Sequence, residues 1–173
     1  NSSGAYETSL YEEASYSQGY CYFKQKQYDE AATSLRRYVS ASGIDKGHKA
    51  DAMVRIGDCY FVAKDEPSAV KWYDDAMANG TKDRDYAMYQ KGVCQGLEKQ
   101  YDAKIATLKK LLDEKPNSQY TAAAKFQLGE TYINLEKNTE ALKYYTQVVD
   151  NHPNCPHMRQ SMLQIALIHQ RQG

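Results

Sequence analysis

Charge of neither sign prevails in this chain, where 22 Lys and Arg balance 22 Asp and Glu. A nucleic-acid or anionic-membrane surface needs a basic excess or stripe, so no nucleic acid is expected as a partner. Long apolar runs are missing too. None approaches the ~20 residues of a membrane span, and direct membrane insertion is not expected. No charged-then-apolar leader opens the sequence as given, which leaves open a signal peptide that lies outside it or has been removed. Catalytic fingerprints are absent: GxSxG, the P-loop, HExxH and dinucleotide-binding runs do not occur. Acidic pairs such as Glu12-Glu13 and Asp74-Asp75 are adjacent in sequence, so on a helix their side chains diverge and cannot flank one substrate. Neither an enzyme nor a cofactor is expected.

Phenylalanine and tryptophan are scarce, three and one, against sixteen tyrosines. Tyrosine combines a large contact area with a polar tip, which suits positions half buried between helices or on a binding surface. Most of the sixteen are expected to pack.

What the chain does have is a ruler. Gly19, Gly57, Gly92 and Gly129 are separated by 38, 35 and 37 residues, and a further 37 falls on Ala166. A fixed period of this size marks one supersecondary unit copied along the chain. Each glycine sits in a segment of helical periodicity, as in Ala52, Ile56, Gly57, Tyr60 and again in Ala124, Leu128, Gly129, Tyr132. A short polar turn follows, then a second amphipathic stretch: Ala31, Leu35, Tyr38; Ala69, Tyr73, Ala76; Leu108, Leu111; Ala141, Tyr145, Val148. Each unit therefore reads as two antiparallel helices. Glycine in mid-helix costs ~1 kcal/mol relative to alanine, so it needs a packing reason. Close approach to Ala31, Ala69 and Ala141 of the partner helix would supply one. Gly43, Gly47, Gly80, Pro116 and Pro153 mark the breaks between units. Helices are expected near 6–26, 28–41, 48–63, 66–79, 85–98, 101–114, 119–135, 138–151 and 157–171, with residues 1–5 as a flexible lead-in.

The pattern resembles the tetratricopeptide repeat (TPR). Gly19/Tyr22, Gly57/Tyr60 and Gly129/Tyr132 match its first-helix pair, three units match its second-helix alanine, and two match its closing proline. The resemblance implies an all-α fold, a right-handed α-solenoid of stacked antiparallel helix pairs. Residues 1–173 would form a single array of about four and a half repeats: 6–41, 48–79, 85–114, 119–151 and an incomplete 157–173. The run Pro116-Asn117-Ser118-Gln119-Tyr120, followed by Leu128-Gly129-Glu130-Thr131-Tyr132, is similar to TPR proteins of the bacterial cell envelope. These include outer-membrane assembly lipoproteins and Tol-Pal-associated proteins. The third unit also resembles long Bacteroidetes TPR proteins. It departs from the pattern at Lys104, where its siblings carry alanine, and at Gln95, which replaces the first-helix tyrosine. A lysine at a core position is expected to lead its ammonium to water or a carboxylate.

Cys21, Cys59 and Cys94 each lie two residues after a repeat glycine. Equivalent points on neighbouring helices are ~8–10 Å apart, beyond the ~7 Å that a disulfide spans, so all three are expected to pack as small hydrophobes. His152, Cys155 and His157 lack a fourth ligand at zinc spacing and read as an inter-repeat turn. The last helix, with Met162, Leu163, Ile165, Leu167 and Ile168, is too apolar for a capping repeat. The chain is therefore expected to belong to a longer array, or to have this face covered by another molecule, self-association included.

In TPR proteins the first helices line the concave side. Carried onto this chain, the resemblance makes Tyr16, Tyr20, Phe23, Arg55, Asp58, Phe61, Tyr86, Tyr89, Phe126, Glu130 and Ile133 the candidate partner-binding residues. Aromatics with interspersed charges suit a protein or peptide partner. The carboxylate clamp of chaperone-docking TPR domains is not expected, because among Tyr16, Tyr20, Arg55, Tyr86 and Gln90 only Arg55 is cationic. The expected function is non-catalytic binding of a peptide or helical segment, in the periplasm or cell envelope, with the cytoplasm as the alternative. A structural spacer that stacks through its end repeat and a glycan-binding accessory module are the rival readings.

Overall fold

The computed structural model describes residues 2–172, with the backbone alone for Ser2, Ser3, Ala5, Tyr6, Thr8 and Gln172. Nine helices and no strand occur among them: α1 (Ser2–Lys24), α2 (Tyr28–Val39), α3 (Lys46–Val62), α4 (Glu66–Ala78), α5 (Arg84–Leu97), α6 (Tyr101–Glu114), α7 (Thr121–Asn134), α8 (Asn138–Asn151) and α9 (Met158–Gln172). These spans follow the expected ones closely except at the start. There α1 is already helical at Ser2, where a flexible lead-in was expected. The reason is local: Gly4 alone, at ~1 kcal/mol, does not stop a helix that has no proline before it. Asn1 and Gly173 lie outside the described residues.

The chain divides into two compact units, Asn1–Cys94 and Gln95–Gly173. In the first, Leu35, Val54, Ile56, Ala69, Tyr73, Ala76, Ala87 and Cys94 form one buried cluster. In the second, Leu108, Leu111, Leu128, Tyr145, Val148 and Ile168 are buried.

The first helix of each pair ends in one way. Lys26, Lys64, Lys99 and Glu136 take the left-handed conformation, with φ of 60°, 60°, 57° and 57°. Each lies seven residues after a repeat glycine. The Lys26 N–H donates to the Phe23 carbonyl and the Gln27 N–H to that of Tyr22, and the same two bonds recur at Lys64/Asp65, Lys99/Gln100 and Glu136/Lys137. They satisfy carbonyls that the last helical turn leaves unpaired and reverse the chain into the second helix. An L-residue there costs ~1 kcal/mol, which the closed turn offsets. Asp45 and Asp65 then cap α3 and α4, accepting from the His48 N–H at 2.9 Å and the Ser68 N–H at 3.2 Å.

Three of the repeat glycines, Gly19, Gly57 and Gly129, do have a packing reason, but a different one from that expected. A Cβ at Gly57 would lie 2.7 Å from Tyr73 Cε1, one at Gly129 2.6 Å from Tyr145 Cε1, and one at Gly19 2.6 Å from Leu35 Cδ2. The bare backbone thus makes room for the large side chain sixteen residues on, not for the alanine twelve on. Ala31, Ala69 and Ala141 are themselves fully buried.

The cysteine expectation needs a similar correction. Cys59 and Cys94 are buried, and burial pushes the Cys59 thiol up to about 12, which leaves it unreactive. Cys21 is exposed. Cys59 packs against Ala31 and Ala32 of the preceding second helix, and no earlier second helix among the described residues meets Cys21.

Candidate functional site

In the first unit the helices α1, α3 and α5 bring tyrosines and carboxylates together. One turn of α1 separates Tyr16 from Tyr20, so both rings share a face, with centroids 4.9 Å apart. Both hydroxyls donate to Asp51 Oδ2 on α3, that of Tyr16 at 3.0 Å. The Tyr16 ring also stacks on His48, at 4.9 Å and 19°.

Arg55, one turn beyond Asp51, lies at the centre. Its guanidinium sits 5.9 Å from the Phe23 ring centroid and 5.8 Å from that of Tyr86, within cation–π range of both. Its Nη1 donates to Asp58 Oδ2 at 2.7 Å, while its Nη2 is 3.4 Å from Asp83 Oδ2 and 4.0 Å from Asp51 Oδ1. Asp58 also accepts from the Tyr73 and Tyr86 hydroxyls, each at 2.8 Å. Burial works against the Arg55 charge, yet the Asp58 and Asp51 carboxylates outweigh it and raise its pKa above the ordinary value. Asp58 stands above the usual carboxylate range because of burial, held back by hydrogen bonds from Tyr73, Tyr86 and Arg55. Burial first, then Asp51, pushes Tyr16 upward; burial and Asp58 do the same to Tyr86. These phenols therefore act as neutral donors.

Of the candidate residues, Tyr16, Tyr20, Phe23, Arg55, Phe61, Tyr86 and Tyr89 are half buried in this unit. Asp58 is a correction. It is buried, 7% exposed, and its oxygens are taken by internal donors, so it positions Arg55 and presents little surface of its own. Asp51 and Asp83 were not anticipated. Asp51 carried a signal, since it stands four residues before Arg55, where opposite charges meet on a helix. Asp83 carried none, because it lies outside a helix and only folding brings it to Arg55.

The second unit holds Phe126, Glu130 and Ile133. Phe126 is the other correction: it is 4% exposed, stacked on His157 at 4.7 Å and tilted against Tyr145 at 5.8 Å, so it packs internally. Glu130 and Ile133 are half buried. Burial raises the Glu130 pKa, with Lys104 and His157 opposing. Lys104 is buried, and its Nζ donates to Gln127 Oε1 at 2.6 Å. It does not lead its ammonium to water, and burial lowers its pKa, partly offset by Glu130. Gln95 Oε1 is buried without a hydrogen-bond partner among the described residues. On α9, Met162 and Leu163 are exposed while Ile168 is buried. No helix among the described residues is long and apolar enough to cross a membrane.

Paired helices, a left-handed turn at a fixed step and a first-helix face of rings and charges define a helical-repeat protein. The sequence profile of the tetratricopeptide repeat family matches residues 13–41, 86–118 and 123–154, more than half of the chain, which belongs to this family. Solved structures with the same fold include MamA, at 21% identity over 80% of this chain and 77% of that one, with a TM-score of 0.70. A second MamA structure has 18% identity over 95% and 84%, with a TM-score of 0.74. YrrB, described as a TPR protein with an unusual peptide-binding site, has 20% identity over 82% and 69%, with a TM-score of 0.68. Comparison with curated proteins gives no match. The fold class is thus the all-α TPR solenoid, a fold of protein–protein interaction modules.

Proposed function

We propose that this protein holds a peptide or helical segment of a partner protein against the first-helix face of its first unit, formed by α1, α3 and α5. One observation carries the reading: Arg55 is held between Phe23 and Tyr86 by a buried carboxylate, so the face is organised before any partner arrives. Preorganised aromatic contact area costs little rotamer entropy on binding. The surroundings are those of a bacterial cell-envelope assembly, a reading supported by the Pro116-to-Tyr120 link and the Leu128-to-Tyr132 run. Capture from lysate of the source organism, read by mass spectrometry, tests the binding reading. Phe23→Ala with Tyr89→Ala should remove the partners that wild type retains, and identical capture by both would end the reading. Cell fractionation of the tagged full-length protein tests the location.

The exposed Met162 and Leu163 on α9 favour a second reading, a spacer that associates through this helix. Light scattering that finds a strict monomer at high concentration would remove it.

A further inference from the structure

Resting on that reading of the first-helix face, we infer that the segment it holds is cationic: a stretch with lysine or arginine interspersed among apolar residues. Three carboxylates, Asp51, Asp58 and Asp83, surround a single guanidinium, so in the immediate surroundings of Arg55 acid outnumbers base. The surplus is accessible. The Asp51 side chain is 31% exposed and that of Asp83 46%, whereas Asp58, at 9%, serves Arg55 from within.

Further acids extend the field along the same side of α1. Glu12, Glu13 and Asp45 all act on Tyr38, whose ring packs on Tyr16 at 4.9 Å, while Lys82 near Asp45 offsets part of it. The chain as a whole carries no net charge, so this is a local field and not the reflection of an acidic protein. The rings point the same way. Phe23 and Tyr86 already flank one cation, the protein's own, and the neighbouring Tyr16 and Tyr20 carry electron-rich faces beside Asp51. An acidic segment would meet the surplus charge and be repelled, and a purely apolar one would take water from Asp51 and Asp83 and bring no cation in its place.

Fluorescence anisotropy with three dye-labelled synthetic peptides tests this. The peptides share one apolar pattern and carry lysine, glutamine or glutamate at the remaining positions. The lysine peptide should bind about tenfold more tightly than the glutamine peptide, and the glutamate peptide more weakly than either. Raising salt from about 50 to about 300 mM should erase most of the lysine advantage. Asp51→Asn with Asp83→Asn should erase it too, whereas Glu140→Gln, on the exposed side of α8, should not. Circular dichroism confirms that each variant is folded. Equal binding of the three peptides, preference for glutamate, or no binding of the lysine peptide would overturn the inference. Binding of the glutamine peptide that Phe23→Ala abolishes, without any lysine advantage, would leave the protein-binding face standing and remove only its charge preference.

Discussion

The second and fourth repeats begin from the same local text and build opposite surroundings. Gly57 is followed by Asp58 and Gly129 by Glu130; sixteen residues after each glycine stands a fully buried tyrosine, Tyr73 or Tyr145. In the first unit Arg55, two residues before the glycine, gives the acid its cation, and Tyr73 and Tyr86 supply two more donors. In the second unit Gln127 occupies the arginine's place, and the cation comes from Lys104 on α6, bonded to that glutamine. No hydrogen bond to Glu130 or from the Tyr145 hydroxyl is found among the described residues. A carboxylate with three matched donors can be buried and can hold a surface in shape. A carboxylate without them stays half exposed.

Three sets of substitutions test this contrast, and the single tryptophan assists, because Trp72 packs on the core of the first unit and its fluorescence reports that unit. The largest difference is expected at the acids. Asp58→Asn should destabilise the first unit by about 3 kcal/mol, because it unbalances a buried charge and misplaces a donor against two phenols. Glu130→Gln should cost less than about 1 kcal/mol. Urea unfolding followed by Trp72 fluorescence and far-ultraviolet circular dichroism decides between them, and equal costs would refute the contrast.

The tyrosines come next. Tyr73→Phe should cost about 1–2 kcal/mol by taking one donor from buried Asp58. Tyr145→Phe should change stability by under about 0.5 kcal/mol, since the ring carries the packing. Similar losses in the two variants would mean that Tyr145 has a partner after all.

The smallest effect concerns pH. Burial holds Lys104 below its ordinary 10.5, so the unfolded chain binds this proton more tightly than the folded one. The resulting penalty is present at neutral pH and is relieved as pH rises through the folded value toward 10.5. Wild type should therefore gain stability relative to Lys104→Met across that window. A difference that stays flat with pH would show that the folded pKa is not lowered.

The helices were legible because their signals are local. The glycine ruler, the alternation of first and second helices and the breaks at Gly43, Gly80, Pro116 and Pro153 all lie within a few residues of what they control. The arrangement of the candidate site was legible only in part. Tyr16, Tyr20, Phe23, Arg55 and Tyr86 follow from the position of first helices in a TPR, yet sequence position says nothing of depth. Asp58 and Phe126 stand on first helices like the others and are buried, one by its donors and the other by Tyr145 and His157. Lys104 showed itself as a misfit in its repeat, but its acceptor, Gln127, lies in the next repeat and could not be read from the spacing.

Repeat period, helix pairing and the kind of residue on each helix were decided by the sequence alone, because each depends on steps of three, four or seven residues along one chain. Three things waited for the tertiary structure. They are the side chain each glycine admits, the carboxylates that surround Arg55, and the depth of each lining residue. These depend on distances between helices that the period leaves free, and a buried charge persists only where donors from other helices converge on it.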